Sequence, residues 1–273
     1  MSGYDFSRIA PRYNALSTVQ GSAGETLLAV LDVRQGETVL DLGCGTGTLT
    51  RELCKRSGAA VTALDPSEGM IAKARENCAG LDVAFAHCRA DELAHTDCYD
   101  VVFCNSTLQW LNPPDGALAR CRAALKEGGR IGIQAPAKGV YCPAFVDAID
   151  GVRRDGRTGP TFARFKNPWF FRETAEEYAQ FFDKAGFAVH FAEIKEDRQR
   201  MTPQAVFGVF SSGAIAGYLN PACYDAAIDA AYEEIFKEIV AQSFQRRAEG
   251  DGKFDLVFFR IYLVASRPRD GRT

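Results

Sequence analysis

No two of the chain's nine cysteines stand in a C-x-x-C spacing, and their number is odd. Neither a zinc ribbon nor a disulfide framework is expected from such a set. The thiols read instead as small buried apolar residues in a reducing cytoplasm. Long runs of like charge are absent, and the formal net charge is only −3, so nothing points to a nucleic-acid or membrane-surface partner. No stretch approaches the ~18 uncharged apolar residues of a membrane span. The opening MSGYDFSRIAPRYN has no continuous apolar core of signal-peptide type. Histidine is scarce, at three residues, which leaves no obvious general base. No metal is expected.

What is present is ordinary globular material. The 273 residues are 47% hydrophobic and 25% charged, too apolar for a disordered chain and long enough to bury one core. Short apolar runs at Thr38–Leu42, Val61–Leu64, Val83–Ala86, Val101–Cys104 and Arg130–Gln134 read as strands. Leu49–Arg56, Glu68–Asn77 and Ala117–Leu125 read as helices between them, with Ser67 as an N-cap and Gly128-Gly129 as a stop. This alternation predicts βαβ units and a parallel sheet covered on both faces. Ligands of such sheets bind beyond the C-terminal strand ends, where the strand order switches.

The first strand runs into Gly43-Cys44-Gly45-Thr46-Gly47. Three glycines in five residues permit positive φ and close approach of the backbone to a ligand, and the helix behind them offers free N–H groups. The bland alternative is a tight strand-to-helix turn. The spacing is neither G-x-G-x-x-G nor a P-loop, so a bulky pyrophosphate fits less well than a ligand with a smaller charged end. Asp65, at the end of the second strand, can accept both hydroxyls of a ribose. Its alternative is a role at the start of the following helix. Both features together favour the ribose.

VLDLGCGTGTLT followed by VTALDPSEGM resembles the first two motifs of class I S-adenosylmethionine-dependent methyltransferases. The likeness continues through Arg89–Leu93, Tyr99–Asn105 and Leu125–Gly129, covering about residues 36–135. It implies an α/β Rossmann-like sheet of seven strands with the last antiparallel, and S-adenosyl-L-methionine as cofactor. It places the methionine moiety at Gly43, Gly45 and Gly47, the ribose on Asp65 and the adenine ring against Met70. The adenine amino group falls near Asp91, with Glu92 beside it, and Asn105 faces the sulfonium and the acceptor. Met70 can also be read as a core residue of its helix, and Asp91 as an N-cap.

Flanking this core, Phe6, Ile9, Ala10 and Tyr13 have helical spacing, either as a packed element or as a lid with Tyr13 near the cofactor carboxylate. A second helix is expected at Gly24–Val33. Asn112-Pro113-Pro114-Asp115 imitates an N-methylation motif, but Asn105 occupies the strand-end position, and the segment reads as a loop with a helix start at Pro114. Tyr178–Ala185, closed by Gly186, reads as a helix, and Phe187–Ile194 and Asp255–Ala265 as the last two strands. Residues 1–273 are thus expected as one domain. Its core comprises about 36–135, 173–196 and 253–267, and the insertions at about 136–172 and 197–250 should build a helical cap. Within the second insertion, Thr202-Pro203 begins one helix and Asn220-Pro221 another, the latter striped by Tyr224, Ile228, Tyr232, Ile235 and Ile239.

The cap is rich in aromatic residues, and Trp110, Trp169 and Arg164 are the candidate acceptor contacts. Arg164 together with Lys166 and Arg172 would suit a carboxylate. FSRIAPRY, NSTLQW and FKNPWFF resemble the trans-aconitate and malonyl-thioester carboxyl methyltransferases. These act on an ionised acid that needs no base. If a base is used, His87 and Tyr141 are the candidates. The expected function is O-methylation of a small-molecule carboxylate in the cytoplasm, by a monomer or homodimer without nucleic-acid or membrane partner. C- or N-methylation of a small metabolite, or cofactor binding without transfer, are the alternatives.

Overall fold

The structure, a computed structural model, describes residues 18–269. The expected helix around Phe6–Tyr13 lies outside them. A seven-stranded sheet has the order β3-β2-β1-β4-β5-β7-β6. Its strands are β1 (Val39–Leu42), β2 (Val61–Asp65), β3 (Val83–His87), β4 (Tyr99–Asn105), β5 (Leu125–Pro136), β6 (Ala188–Met201) and β7 (Phe254–Ser266). The first five pair in parallel, and β7 runs antiparallel between β5 and β6. This is the Rossmann-like sheet with an antiparallel last strand expected above. The order reverses between β1 and β4, so the crevice for a ligand opens at the tips of those two strands.

Period-two alternation feeds both faces. Val39, Val101, Phe103 and Tyr262 pack under α1 (Thr18–Leu31) and α2 (Thr48–Ser57). Ala63 on that face meets Ile71 and Ala74 of α3 (Glu68–Asn77). Leu40, Val102, Ile133 and Leu263 pack on the other face with α4 (Asp115–Ala124) and α7 (Ala175–Lys184). α1 starts earlier than the expected Gly24–Val33 and ends as Asp32 turns to φ 51.

Two expected boundaries are corrected. Gly128-Gly129 does not stop α4, because β5 begins directly at Leu125. The glycines form a bulge instead: Tyr99 pairs with Leu125 while Val101 already pairs with Arg130. A Cβ on Gly129 would stand 2.9 Å from the Lys126 carbonyl oxygen. Asn220-Pro221 begins only a 3-10 turn, Pro221–Cys223, with Asn220 Oδ1 accepting from the Ala222 N–H. The long helix, α10 (Ala230–Gln245), starts afresh at Asp229, whose Oδ1 accepts from the Tyr232 N–H at 2.8 Å. Tyr224 therefore lies off the helix, its hydroxyl donating to the Tyr218 carbonyl.

The remaining helices are α5 (Pro143–Arg154), α6 (Gly159–Phe162), α8 (Pro203–Ser212) and α9 (Ile215–Tyr218). Thr202 caps α8, its hydroxyl accepting from the Ala205 N–H, with Pro203 at the first turn as its sequence predicts. α5, α8 and α10 share an apolar cluster with the first half of β7, through Phe145, Phe210, Phe236, Phe244, Phe254 and Phe258. β6 and β7 pair from Ala188↔Ser266 to Met201↔Phe254, whereas β5 leaves β7 at Pro136↔Arg260. Beyond that point the hairpin runs on as an arm under the inserted helices. The Phe259 carbonyl accepts from Ala137 and its N–H donates to the Tyr141 carbonyl.

Candidate active site

The tips of β1 and β2 are tied together by backbone. The N–H groups of Gly43 and Cys44 both donate to the Leu64 carbonyl, at 2.8 and 2.9 Å. Asp65 accepts from the Gly45 N–H at one oxygen and from the Ser67 N–H at the other, each at 2.9 Å. Gly43, Gly45 and Gly47 hold φ of 78, 54 and 79°, a region that favours glycine. Burial pushes the Asp65 carboxyl up, against the pull of those two N–H donors. Beneath the turn, Asp41 is fully enclosed and accepts from the Thr50 hydroxyl at 2.6 Å. Its carboxyl is pushed up to about 7, mainly by burial.

A cavity of about 450 Å³ opens at this turn. Gly43, Gly45, Asp65, Met70, Arg89 and Asp91 line one end. Met70 sits in the first turn of α3, its N–H donating to Ser67 Oγ, and is 2% exposed. Asp91 is held by Arg89 through two bonds of 3.0 Å, and the guanidinium keeps its carboxyl below the usual range. The tip of β4 and the turn after it, Asn105 to Trp110, form the waist. Gln109 there is 6% exposed. Its amide nitrogen donates to the Ser106 carbonyl, while Oε1 takes no partner among the described residues.

The far end lies under the inserted helices. Tyr141, Phe145, Trp169, Phe171 and Phe258 wall it, with Ser212 and Arg260 among the other lining residues. Tyr141 stacks on Phe171 at 5.3 Å between centroids, and Trp110 meets Trp169 edge-on at 5.8 Å. Burial holds the Tyr141 phenol well above its ordinary value, which disfavours a phenolate base. Arg260 is 2% exposed. Its Nε lies 2.9 Å from Asp197 Oδ2.

Of the residues singled out in the sequence, Gly43, Gly45, Asp65, Met70, Asp91, Asn105, Trp110, Tyr141 and Trp169 converge on this one cavity. Four stand outside its lining. Gly47 caps α2. Glu92 closes the Ala90–Glu92 turn by accepting from the Arg89 N–H. His87 is exposed, with Nε2 at 2.8 Å from the Pro66 carbonyl oxygen. Arg164 is exposed, and its carbonyl accepts from the Asp225 N–H. Its expected companions are engaged elsewhere: Lys166 pairs with Asp225, and Arg172 covers the Phe170 and Phe181 rings. Tyr13 lies outside the described residues. The buried cation at the cavity is Arg260, which the sequence reading missed. A lone arginine inside DLVFFRIYLVA, an otherwise apolar strand, was the available signal.

The β1 glycine turn and the acid ending β2 both lie within a segment that resembles known proteins. Residues 39–129 match the family model described as a methyltransferase domain. Over 127 residues the chain is 39% identical to a malonyl-[acyl-carrier protein] O-methyltransferase of Acetivibrio thermocellus, covering 45% of each. It is 40% identical over 111 residues to a trans-aconitate 2-methyltransferase of Mycolicibacterium gilvum, covering 40% of this chain and 42% of that protein. The chain thus spans less than half the length of these curated relatives. The YcgJ protein of Bacillus subtilis superposes with a TM-score of 0.60 at 13% identity, over 92% of this chain and 100% of that one.

The chain carries a class I S-adenosylmethionine-dependent methyltransferase domain. S-adenosylmethionine is the cofactor of this family, and the cavity has room and chemistry for it. A Cβ built on Gly45 meets no protein atom within 4 Å, so the backbone there is open to a ligand. The buried Asp65 and apolar Met70 both line the cavity beside it.

Proposed function

We propose that this chain transfers a methyl group from S-adenosylmethionine to a carboxylate oxygen of a small acceptor. One observation carries the choice of acceptor. Among the described residues, the far end of the cavity offers no carboxylate and no imidazole, and its one phenol is held protonated by burial. An amine, phenol or carbon acid would arrive protonated and find no base, whereas a carboxylate is already ionised at neutral pH. The partial likeness to carboxyl-methylating relatives supports the same reading.

In this reading Gly43 and Gly45 lie against the methionine moiety, Asp65 accepts from the ribose hydroxyls, and Met70 faces the adenine. Asp91, oriented by Arg89, accepts from the adenine amino group. Asn105 stands at the waist. When bound, the cofactor would supply a methyl group on a sulfonium: a C–O bond to the carboxylate oxygen would form as the C–S bond broke, leaving the methyl ester and the neutral thioether. The chain's own contribution is alignment, and exclusion of water by the aromatic walls.

The test is a screen of the full chain with S-adenosylmethionine against small carboxylic acids, amines and phenols, followed by a pH profile. Ester formation with kcat/KM flat between about pH 6 and 9 is expected. Activity only on amines or phenols, or cofactor binding with no acceptor at all, would overturn the carboxylate assignment.

A further inference from the structure

Arg260 is the first residue of β7 with β5 beside it, and it points its guanidinium into the wall of the cavity under the cap. Three groups hold it. Asp197 Oδ2 of the neighbouring strand lies 2.9 Å from Nε, off the N–H axis, so the contact is an ion pair rather than an aligned hydrogen bond. The Phe258 ring lies 4.5 Å from Cζ. The Gln134 amide satisfies its neighbours in one orientation. Its oxygen accepts from Arg260 Nη1 at 3.0 Å, and its nitrogen donates to Asn105 Oδ1 at 2.7 Å and Ser106 Oγ at 2.9 Å. Nε itself takes no hydrogen-bond partner among the described residues.

A buried guanidinium with one loosely aligned carboxylate is incompletely compensated, because its desolvation is repaid only when the fork's donors are met. The unmet donor lies on a residue that lines the cavity. A planar fork in an apolar chamber is the group that recognises a carboxylate or similar oxyanion. It is unsuited to hold the oxygen being methylated, since a carboxylate neutralised by two charge-assisted bonds has its lone pairs committed. The geometry separates the two tasks. Gln134 intervenes between Arg260 and the β4 tip, just beyond which Thr107 lies against the glycine turn.

We infer that Arg260 anchors an anionic group of the acceptor other than the one methylated, and that Gln134 and Asp197 position it. The assignment rests on the carboxylate reading above and narrows it: the acceptor carries a second oxyanion one chamber-width from its reacting acid.

The chain's two tryptophans, Trp110 and Trp169, both line the cavity, so its fluorescence reports occupancy without turnover. We would titrate the full chain, with and without S-adenosylhomocysteine, with straight-chain dicarboxylates of three to six carbons and with their mono- and dimethyl esters. A saturable change with at least one diacid and its monoester is expected, and binding at least tenfold weaker for the diester. Arg260→Met should abolish that discrimination and leave S-adenosylhomocysteine affinity, read by calorimetry, within about twofold. Arg260→Lys should retain part of it. In turnover, the loss should appear in KM more than in kcat. Should Arg260→Met unfold by leaving Asp197 unpaired, the Arg260→Met/Asp197→Asn double variant replaces it, and the diacid–diester comparison on the unaltered chain stands by itself. No saturable response to any diacid, equal binding of diacid and diester, or an unchanged profile in the variant would overturn the anchor. Methylation confined to amines or phenols would instead sink the carboxylate reading while leaving diacid binding at Arg260 intact.

Discussion

A Cβ on Gly43 would stand 2.1 Å from the Thr107 hydroxyl, and one on Gly47 within 3.2 Å of the Ala74 backbone, whereas one on Gly45 meets nothing. All three positions are left-handed, so any alanine costs about 1 kcal/mol in strain. What differs is the second effect. Gly45→Ala should reduce S-adenosylmethionine affinity at least tenfold in calorimetry with a melting temperature near that of the unaltered chain. Gly47→Ala should lower stability by roughly 1–3 kcal/mol through crowding of α2 against α3. Equal effects of both on affinity would contradict the division. Asp41 gives a second prediction. Its folded carboxyl titrates at about 7, far above the ~3.9 of an unfolded chain. The folded state therefore binds the extra proton, and stability falls as pH rises from about 4 to 7, by roughly a few kcal/mol in total. Asp41→Asn keeps an oxygen for the Thr50 hydroxyl and removes the titration. It should flatten that slope and melt above the unaltered chain at pH 8; a parallel pH profile would refute the assignment. The glycine turn and Asp65 were legible in the sequence because a local motif defines them. Arg260 was not, since its surroundings are assembled from Asp197 and Gln134, far apart in the chain and joined only by the register of β6, β7 and β5. Arg164 misled for the converse reason: Trp169 and Phe171, close to it in sequence, do wall the cavity, but Arg164 itself faces out.

Among the elements, those set by local chemistry were read well and those set by partners were not. The β1 to β4 runs, Ser67 before α3 and Thr202-Pro203 before α8 announce themselves through apolar runs and capping residues. β7 likewise comes within a residue of its expected ends. The second half of β6, beyond Ile194, does not announce itself, because it carries charges such as Arg198 and Arg200, whose ion pairs with Asp255 exist only once β6 and β7 have paired. The bulge at Gly128-Gly129 mimics a helix stop, since glycine serves both uses. α7 was placed late, at Tyr178, although Thr174-x-x-Glu177 spells a capping box: Thr174 Oγ1 accepts from the Glu177 N–H at 3.1 Å and Glu177 Oε2 from the Thr174 N–H at 3.4 Å. Thr174→Ala should therefore cost about 1 kcal/mol, seen as a shifted denaturant midpoint with an unchanged slope. α7 covers the sheet face remote from the glycine turn, so cofactor affinity should stay within twofold. A loss confined to affinity would show that α7 acts on the site and not on stability.

Across the whole molecule, β7 belongs to two structures at once. Its second half, Ile261 to Ala265, is buried in the sheet, and its first half, Phe254 to Phe258, in the cluster beneath the inserted helices. A single strand with continuous pairing to β6 cannot release one without fraying the other. The cap and the sheet should accordingly unfold in one cooperative transition, and two resolved transitions by calorimetry would refute this. The same continuity predicts how a ligand at the sheet end is felt. S-adenosylhomocysteine at a hundred times its Kd should add about 2.7 kcal/mol, which for a chain of this size raises the melting temperature by roughly 5–10 °C. Because the cavity runs without a break from Gly45 to Phe145 and Phe258, and those two phenylalanines meet edge-on at 5.4 Å, protection of amides against hydrogen exchange should rise in α5 and the first half of β7 as well as in the glycine turn. In Gly45→Ala the temperature shift should shrink at the same ligand concentration and the added protection should vanish from both regions together. Protection gained only around the β1–β2 tips, with α5 unchanged, would mean that the inserted helices are a separate unit, and that the acceptor chamber is not preset by the cofactor end.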